Sequence, residues 1–228
     1  MTEQSISSTS PESGSTSAAA FVRDMIEQNV LKFGDFTLKS GRRSPYFFNL
    51  GDIDDGAGLA RLGDAYAQRL IDLDIEFDVI FGPAYKGIPI AVATAVSMAR
   101  RGLDVGVAFN RKEAKGHGEG GLMVGASIDG KRVLVVDDVM TAGTATIEAA
   151  SLIDGHGGTL VGVLVALDRQ ELSGDGASTA VESVSKHLSV PVNSIANLHD
   201  VIGYVAQDER FASSRVVMAD YQNTYCRN

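Results

Sequence analysis

The chain has 228 residues, 44% hydrophobic and 21% charged, which is enough for one generous α/β domain with a sizeable core. Its net charge of −9 argues against the whole protein being a nucleic-acid binder. Its one cysteine, Cys226, excludes an intrachain disulfide framework and a cysteine-based metal site; with no apolar run near the ~20 residues that span a bilayer and no signal-peptide pattern, a reduced, cytoplasmic setting is the default.

Residues 1–18 are rich in Ser, Thr, Glu and Gly and read as a disordered polar tail, leaving 19–228 as a single domain. Phe21, Val22, Met25, Ile26, Val30 and Leu31 recur at helical spacing and form a core-facing stripe. In GDFTLKSGRRSPYFFNLG (34–51), strand-like alternation broken by Ser40-Gly41 and Pro45 predicts a hairpin or β-arm. Leu59, Leu62, Tyr66, Leu70 and Leu73 share one helical face over 57–73. DVIFGP (78–83) is a buried strand, and AYKGIPIAVATAVSMAR is a loop opening an apolar helix, with Pro89 near its start. Lys86 stands at the strand's carboxyl end beside Gly87. A cation there opposes the helix dipole unless an anion joins it, so Lys86 is a candidate contact for pyrophosphate. The pattern GxxxxGK[ST] occurs nowhere, so a P-loop NTPase reading fails.

LDVGVAFN (103–110) is the next strand, followed by RKEAKGHGEGG (111–121) with four glycines, three bases, His117 and two glutamates. Such a segment has no apolar anchor and makes sense as a lid that orders over a polyanion. The basic islands Lys39/Arg42/Arg43 and Arg111/Lys112/Lys115, on an acidic chain, point to a small and highly charged anionic ligand.

The most informative stretch is VLVVDDVMTAGTA, Val133 to Ala145. Its apolar run suits a parallel strand buried on both faces. Asp137 and Asp138 sit where that strand should end, and Thr141-Ala142-Gly143-Thr144 leads into the helix-like ATIEAASLI. Such a loop offers backbone N–H groups to a phosphate, Gly143 lets the backbone approach it, and Thr141 and Thr144 add hydroxyls. The carboxylates are suited to sugar hydroxyls or the vicinity of Mg²⁺. The stretch therefore reads as a ribose-phosphate cradle. TLVGVLVALDRQE (159–171) is another buried strand, with Arg169 at its carboxyl end placed for bidentate recognition of a carboxylate. STAVESVSKHL reads as a helix, VPVNSIANL as a last strand, and the remainder as helical packing. His156, His187 and His199 lack ligand spacing. Alternating strands and helices from Asp78 to Leu198 predict an α/β fold with a central parallel sheet flanked by helices. The N-terminal segment, about 19–55, forms a small hood over a core of about 56–228.

Val133–Ala145 resembles the phosphoribosyl-pyrophosphate (PRPP) signature of the type I phosphoribosyltransferases. FTLKSGRRSPYFFN, GPAYKGIPIA and RKEAKGHGEGG are similar, more specifically, to segments of the orotate phosphoribosyltransferases. The resemblance extends from about Phe21 to the C-terminus. It implies the type I phosphoribosyltransferase fold and conversion of orotate and PRPP to orotidine 5′-monophosphate and pyrophosphate, with Mg²⁺, in pyrimidine synthesis. It places PRPP on Lys39, Tyr85, Lys86, Arg111, Lys112, Lys115 and His117, on Asp137 and Asp138, and along Val139, Met140, Thr141, Ala142, Gly143, Thr144 and Ala145. Lys115 is its chief catalytic residue, with Asp137 and Asp138 beside it, and it assigns orotate to Phe47, Phe48, Thr141 and Arg169. It names no direct metal ligand, and it implies a homodimer whose lids close over each other's sites. Two rivals are a phosphoribosyltransferase for another base and a nucleic-acid-binding regulator on the same fold. Arg169 and Phe47-Phe48 speak against the first; the lysine-rich lid and the net charge of −9 speak against the second.

Overall fold

A computed structural model describes residues 18–38, 41–113, 121–173 and 176–226. The polar tail, Lys39, and the central part of the lid with Lys115 and His117 lie outside the described residues. Helix α1 (Ala18–Glu27) buries Phe21, Val22 and Met25. It ends at Asn29, whose φ of 56° is left-handed, and the Val30 N–H returns to the Met25 carbonyl at 2.9 Å. The predicted apolar stripe therefore breaks there, and Leu31 opens a strand instead. Strands β1 (Leu31–Thr37) and β2 (Arg43–Phe48) form the expected antiparallel hairpin. Helix α2 (Gly56–Asp72) follows, N-capped by Asp55, which accepts from Gly58 N–H at 2.6 Å.

The core alternates β3 (Val79–Gly82), α3 (Gly87–Arg100), β4 (Gly106–Asn110), β5 (Met123–Gly125), β6 (Arg132–Val139), α4 (Thr144–Gly155), β7 (Thr159–Asp168), α5 (Ala180–Leu188), β8 (Val192–Asn197) and α6 (Leu198–Gln207). Helix α7 (Ala212–Tyr225) closes the described chain. The sheet order is β5-β4-β3-β6-β7-β8. All its neighbours run parallel except β5, which pairs antiparallel with β4 at the edge. The prediction of a central parallel sheet holds, and this short edge strand returns the lid segment to the sheet.

Alternation along β6 builds both faces of the core. Val133 and Val135 pack with Val79, Phe81, Ile153 and Val184 beneath α4 and α5. Leu134 and Val136 pack with Ile80, Leu62, Tyr66 and Val201, beneath α2 and α6. Each fully buried aliphatic side chain here contributes about 1.5–3 kcal/mol, so the central strands are anchored from both sides. The chain moves from β3 outward to β4 and then returns to β6 on the other side of β3. The topological switch point therefore lies between β3 and β6, and ligands bind at the carboxyl ends of the strands at such a point. Among the described residues no helix is long and apolar enough to cross a membrane.

Candidate functional site

β6 does not stop at the acid pair; it runs through Asp137 and Asp138 to Val139. Asp disfavours strands, but β7 continues alongside and pairs Asp137 with Val165 and Val139 with Leu167. β3 pairs with β6 only as far as Phe81–Val135. Beyond that register the two strands part, and the acids stand at the mouth of the opening.

Lys86 comes from the other lip, at the start of α3. Its Nζ donates to Asp138 Oδ2 at 2.6 Å and to Asn49 Oδ1 at 3.0 Å. Asn49 is itself fixed, since its Oδ1 also accepts from Gly51 N–H at 3.2 Å and its Nδ2 donates to Asp52 at 2.5 Å. The turn carrying Lys86 folds tightly onto β3. A Cβ on Gly82 would collide with the Gly87 carbonyl, and one on Gly87 would lie 2.6 Å from Pro83 Cδ. The Ala84–Tyr85 peptide bond is cis, and Ala84 N–H donates to Asn110 Oδ1 at 2.9 Å, tying this turn to the end of β4.

The two acids have unlike surroundings. Asp138 is buried and paired with Lys86. The Asp137 carboxyl is pushed up to about 6, first by burial and then by the charge of Asp138. The Asp138 N–H at 2.9 Å and the charge of Lys86 oppose that shift. Beneath them Tyr66 donates from its buried hydroxyl to the Asp137 carbonyl at 2.7 Å. Burial, then Asp137 and Asp138, hold the Tyr66 phenol well above its ordinary pKa, so it remains a neutral donor.

After Val139, Met140 turns inward and is buried with the α4–α5 face of the core. The predicted Val139–Ala145 contact therefore divides. The Met140 side chain is packing, while Thr141, Ala142, Thr144 and Ala145 are exposed. Gly143 takes φ 72°, ψ 5° at the N-cap of α4; no side chain caps that end and no acid lies in its first turn. The first helical N–H with a partner there is that of Ile147, onto the Gly143 carbonyl at 3.0 Å. The preceding N–H groups and the positive end of the helix dipole are left for an anion. A Cβ on Gly143 would run into the Val184 side chain.

The lid is closed at its base by Arg111, whose N–H reaches the Leu122 carbonyl at 2.7 Å and whose Nη1 reaches Gly121 O at 3.2 Å. Lys112 Nζ lies 4.7 Å from the ring centroid of Tyr85, a highly exposed side chain. These residues, with Phe109 and Asn110, line a hollow of about 470 Å³. Arg111 and Lys112 thus lie beside Tyr85, the residue before Lys86.

The hood divides Phe47 from Phe48. Adjacent strand residues face opposite ways: Phe48 is core, whereas Phe47 is partly exposed and stacks on Phe36 with centroids 5.5 Å apart. The two side chains therefore face opposite sides of the hairpin. Arg169 also differs from a receptor pointing freely into the crevice: its side chain is only 8% exposed, with Nη2 2.6 Å and Nε 2.8 Å from Glu171 Oε1. Its guanidinium lies 4.5 Å from the Tyr46 ring centroid. Burial works to lower the pKa of Arg169, Tyr46 and Glu171 work to raise it, and the net shift is upward. The last paired residues of β6 and β7 are Val139 and Leu167, and Thr141 and Arg169 each follow two residues later in the chain. Asn49, Tyr66, Asn110 and Glu171 are not among the site residues read from the sequence; Asn49 carries a signal as an Asx cap ahead of Leu50-Gly51-Asp52, and Glu171 as an acid two residues from Arg169.

No group of three or more His, Cys, Asp or Glu suited to a metal ion occurs among the described residues. The family described as phosphoribosyl transferase domain matches residues 49–195. The orotate phosphoribosyltransferase of Pseudomonas aeruginosa is 52% identical over 206 residues, covering 90% of this chain and 96% of that protein. That of Yarrowia lipolytica is 52% identical over 203 residues, covering 84% and 93%. Among solved structures, the Francisella tularensis orotate phosphoribosyltransferase aligns with a TM-score of 0.81 at 40% identity, over 91% of this chain and 99% of that one. The Mycobacterium tuberculosis orotate phosphoribosyltransferase in complex with PRPP aligns with a TM-score of 0.61 at 25% identity, over 81% and 98%.

Proposed function

Since the chain belongs to the orotate phosphoribosyltransferases, within the phosphoribosyl transferase domain family, we propose that its crevice between β3 and β6 is where the ribose 5-phosphate group passes from PRPP to orotate. The products are orotidine 5′-monophosphate and pyrophosphate, and the setting is pyrimidine synthesis. The observation that carries the site assignment is the meeting of three elements at the sheet's switch point: the acid pair, Lys86, and the uncapped N-terminus of α4.

Each element has a task in that chemistry. The N–H groups of Thr144 and Ala145 and the hydroxyls of Thr141 and Thr144 hold the 5′-phosphate. Asp137 and Asp138 accept from the ribose hydroxyls, and their charge favours the oxocarbenium-like state at the anomeric carbon. Lys86, Arg111, Lys112 and Tyr85 meet the pyrophosphate, whose charge grows as the bond breaks. Lys39, Lys115 and His117, outside the described residues, complete that set, with Lys115 the principal catalytic lysine. Arg169 and Thr141, each just beyond the end of its strand, receive orotate, whose carboxylate distinguishes it from uracil. Phe47, partly exposed, and Phe48, in the core beside it, form the pyrimidine wall. Mg²⁺ fits as a companion of the substrate: Mg²⁺ is commonly held by one or two carboxylates plus substrate phosphate oxygens and retained waters. When bound it neutralises pyrophosphate charge.

A homodimer is supported by α3. Tyr85, Pro89, Val92, Val96 and Ala99 recur at helical spacing and are all exposed, an apolar stripe suited to a second copy of the chain. The stripe begins at Tyr85, against Lys112 at the lid's base. A two-fold contact there brings each lid near the partner's crevice. The deciding assay is pyrophosphate release with PRPP, Mg²⁺ and a panel of bases. Orotate is turned over far faster than uracil; equal turnover of the two overturns the assignment of Arg169.

A further inference from the structure

The cluster behind Arg169 joins three separate parts of the chain. One oxygen of Glu171 accepts from Arg169 Nε and Nη2 and also from Tyr221 Oη at 2.6 Å, so α7 holds it. The other oxygen lies 3.3 Å from Arg42 Nη1, just before β2 of the hood. Arg42 also stacks over the Tyr225 ring, 4.8 Å from its centroid. The guanidinium of Arg169 is therefore held on one edge by Glu171 and on one face by Tyr46, while Nη2 also lies 3.5 Å from Ser44 Oγ.

What remains is the Nη1 end. Among the described residues Nη1 has no hydrogen-bond partner, unlike Nε and Nη2. A guanidinium is a rigid planar fork, so fixing one edge and one face fixes the direction of the remaining donors. We propose that Glu171 is the positioning residue for substrate-carboxylate recognition, locking Arg169 so that its Nη1 end is presented to the base, with Tyr221 and Arg42 holding Glu171 in turn. This rests on the reading that Arg169 receives the orotate carboxylate.

Two consequences separate this from ordinary packing. The effect falls on the base and not on PRPP, because the acid pair and α4 are held by other contacts. The hydroxyl of Tyr221, on the C-terminal helix, also influences recognition of the base without touching it. The test uses the full chain and steady-state kinetics with orotate and PRPP varied separately, for wild type, Arg169→Ala, Glu171→Ala, Glu171→Gln and Tyr221→Phe. Glu171→Ala raises KM for orotate about tenfold or more, with KM for PRPP and kcat within about threefold. Glu171→Gln, whose amide oxygen still accepts from Nε, restores part of that loss, and Tyr221→Phe raises KM for orotate by about two- to fivefold. If Glu171→Ala does not fold, because it leaves Arg169 buried and unpaired, Glu171→Gln and Tyr221→Phe decide by the same split. An unchanged KM for orotate in the Glu171 and Tyr221 variants, or an equal rise for both substrates, overturns the proposal while Arg169→Ala still impairs orotate. No effect of Arg169→Ala, or no orotate turnover by wild type, instead overturns the reading beneath it.

Discussion

Asp137 is held in a state that opposes folding, and its replacement measures by how much. Its carboxyl is raised to about 6 in the folded protein, by burial first and by Asp138 second. The unfolded value is about 3.9, so the folded form binds a proton more tightly. A raised carboxyl contributes stability only when protonated, below its unfolded pKa, and loses it as pH rises through the folded pKa near 6. At pH 7.5 the ionised side chain therefore destabilises the protein. A shift of about two units corresponds to about 3 kcal/mol, an upper figure because side chains relax and water enters. Asp137→Asn keeps the oxygen that accepts from the Asp138 N–H and removes the charge. It should be more stable than wild type by about 1–3 kcal/mol at pH 7.5, with the gain fading between pH 6 and about 4. Urea denaturation at half-unit pH steps gives the difference directly. A wild type more stable than the variant at pH 7.5, or a gain unchanged down to pH 4, would refute the reasoning. The variant should also lose most activity, because on the proposed assignment the same charge faces the anomeric carbon.

Gly143→Ala imposes a left-handed residue and a collision with Val184; it should lose about 2 kcal/mol, or about 4–8 °C in Tm, and raise KM for PRPP more than for orotate. Scanning calorimetry and kinetics check both, and an unchanged Tm contradicts the strain. Lys86→Met should lower kcat/KM for PRPP by about 10²–10³; a loss under about threefold would remove Lys86 from the pyrophosphate site. For the exchanged lids, Lys115→Ala is mixed in equal amounts with a chain carrying Asp137→Asn and Asp138→Asn. Half the dimers become hybrids with one intact composite site of two, so activity recovers to roughly a quarter of wild type. Verified hybrids without activity would mean that each lid serves its own subunit.

The parts of the site legible in the sequence are those set by position along one element. Lys86 is tied to the end of β3, Asp137 and Asp138 to the end of β6, and Gly143 to the start of α4, so local pattern places them. β6 runs one residue beyond the acid pair because pairing with β7 overrides the poor strand propensity of Asp. Contacts across long separations had no local signal. Tyr66 lies 71 residues from the carbonyl it meets and Tyr221 lies 50 from Glu171. Tyr66 was legible only as one more apolar residue of a helical stripe. Its hydroxyl declares itself once α2 is laid over β6. Arg169 shows the same limit at short range: Glu171 is two residues away in sequence, yet only the fold determines that the pair is buried under Tyr46.

The ion pair between Lys86 and Asp138 has a consequence for how substrate enters. Each charge satisfies the other at 2.6 Å, and Asn49 shares the ammonium. Asp138, the buried partner, is thereby not left as an unpaired charge, which would be strongly destabilising. PRPP carries both replacements, pyrophosphate oxygens for Lys86 and ribose hydroxyls for Asp138. Binding on the proposed assignment is therefore an exchange of partners, in which little electrostatic stabilisation is lost before the bond breaks. The gain comes later: as the anomeric carbon becomes cationic and pyrophosphate more negative, Lys86 and the acid pair each face a growing opposite charge. Interactions that strengthen between ground state and transition state are the ones that raise kcat. The ion pair holds those groups in place, so that reorganisation does not consume the effect.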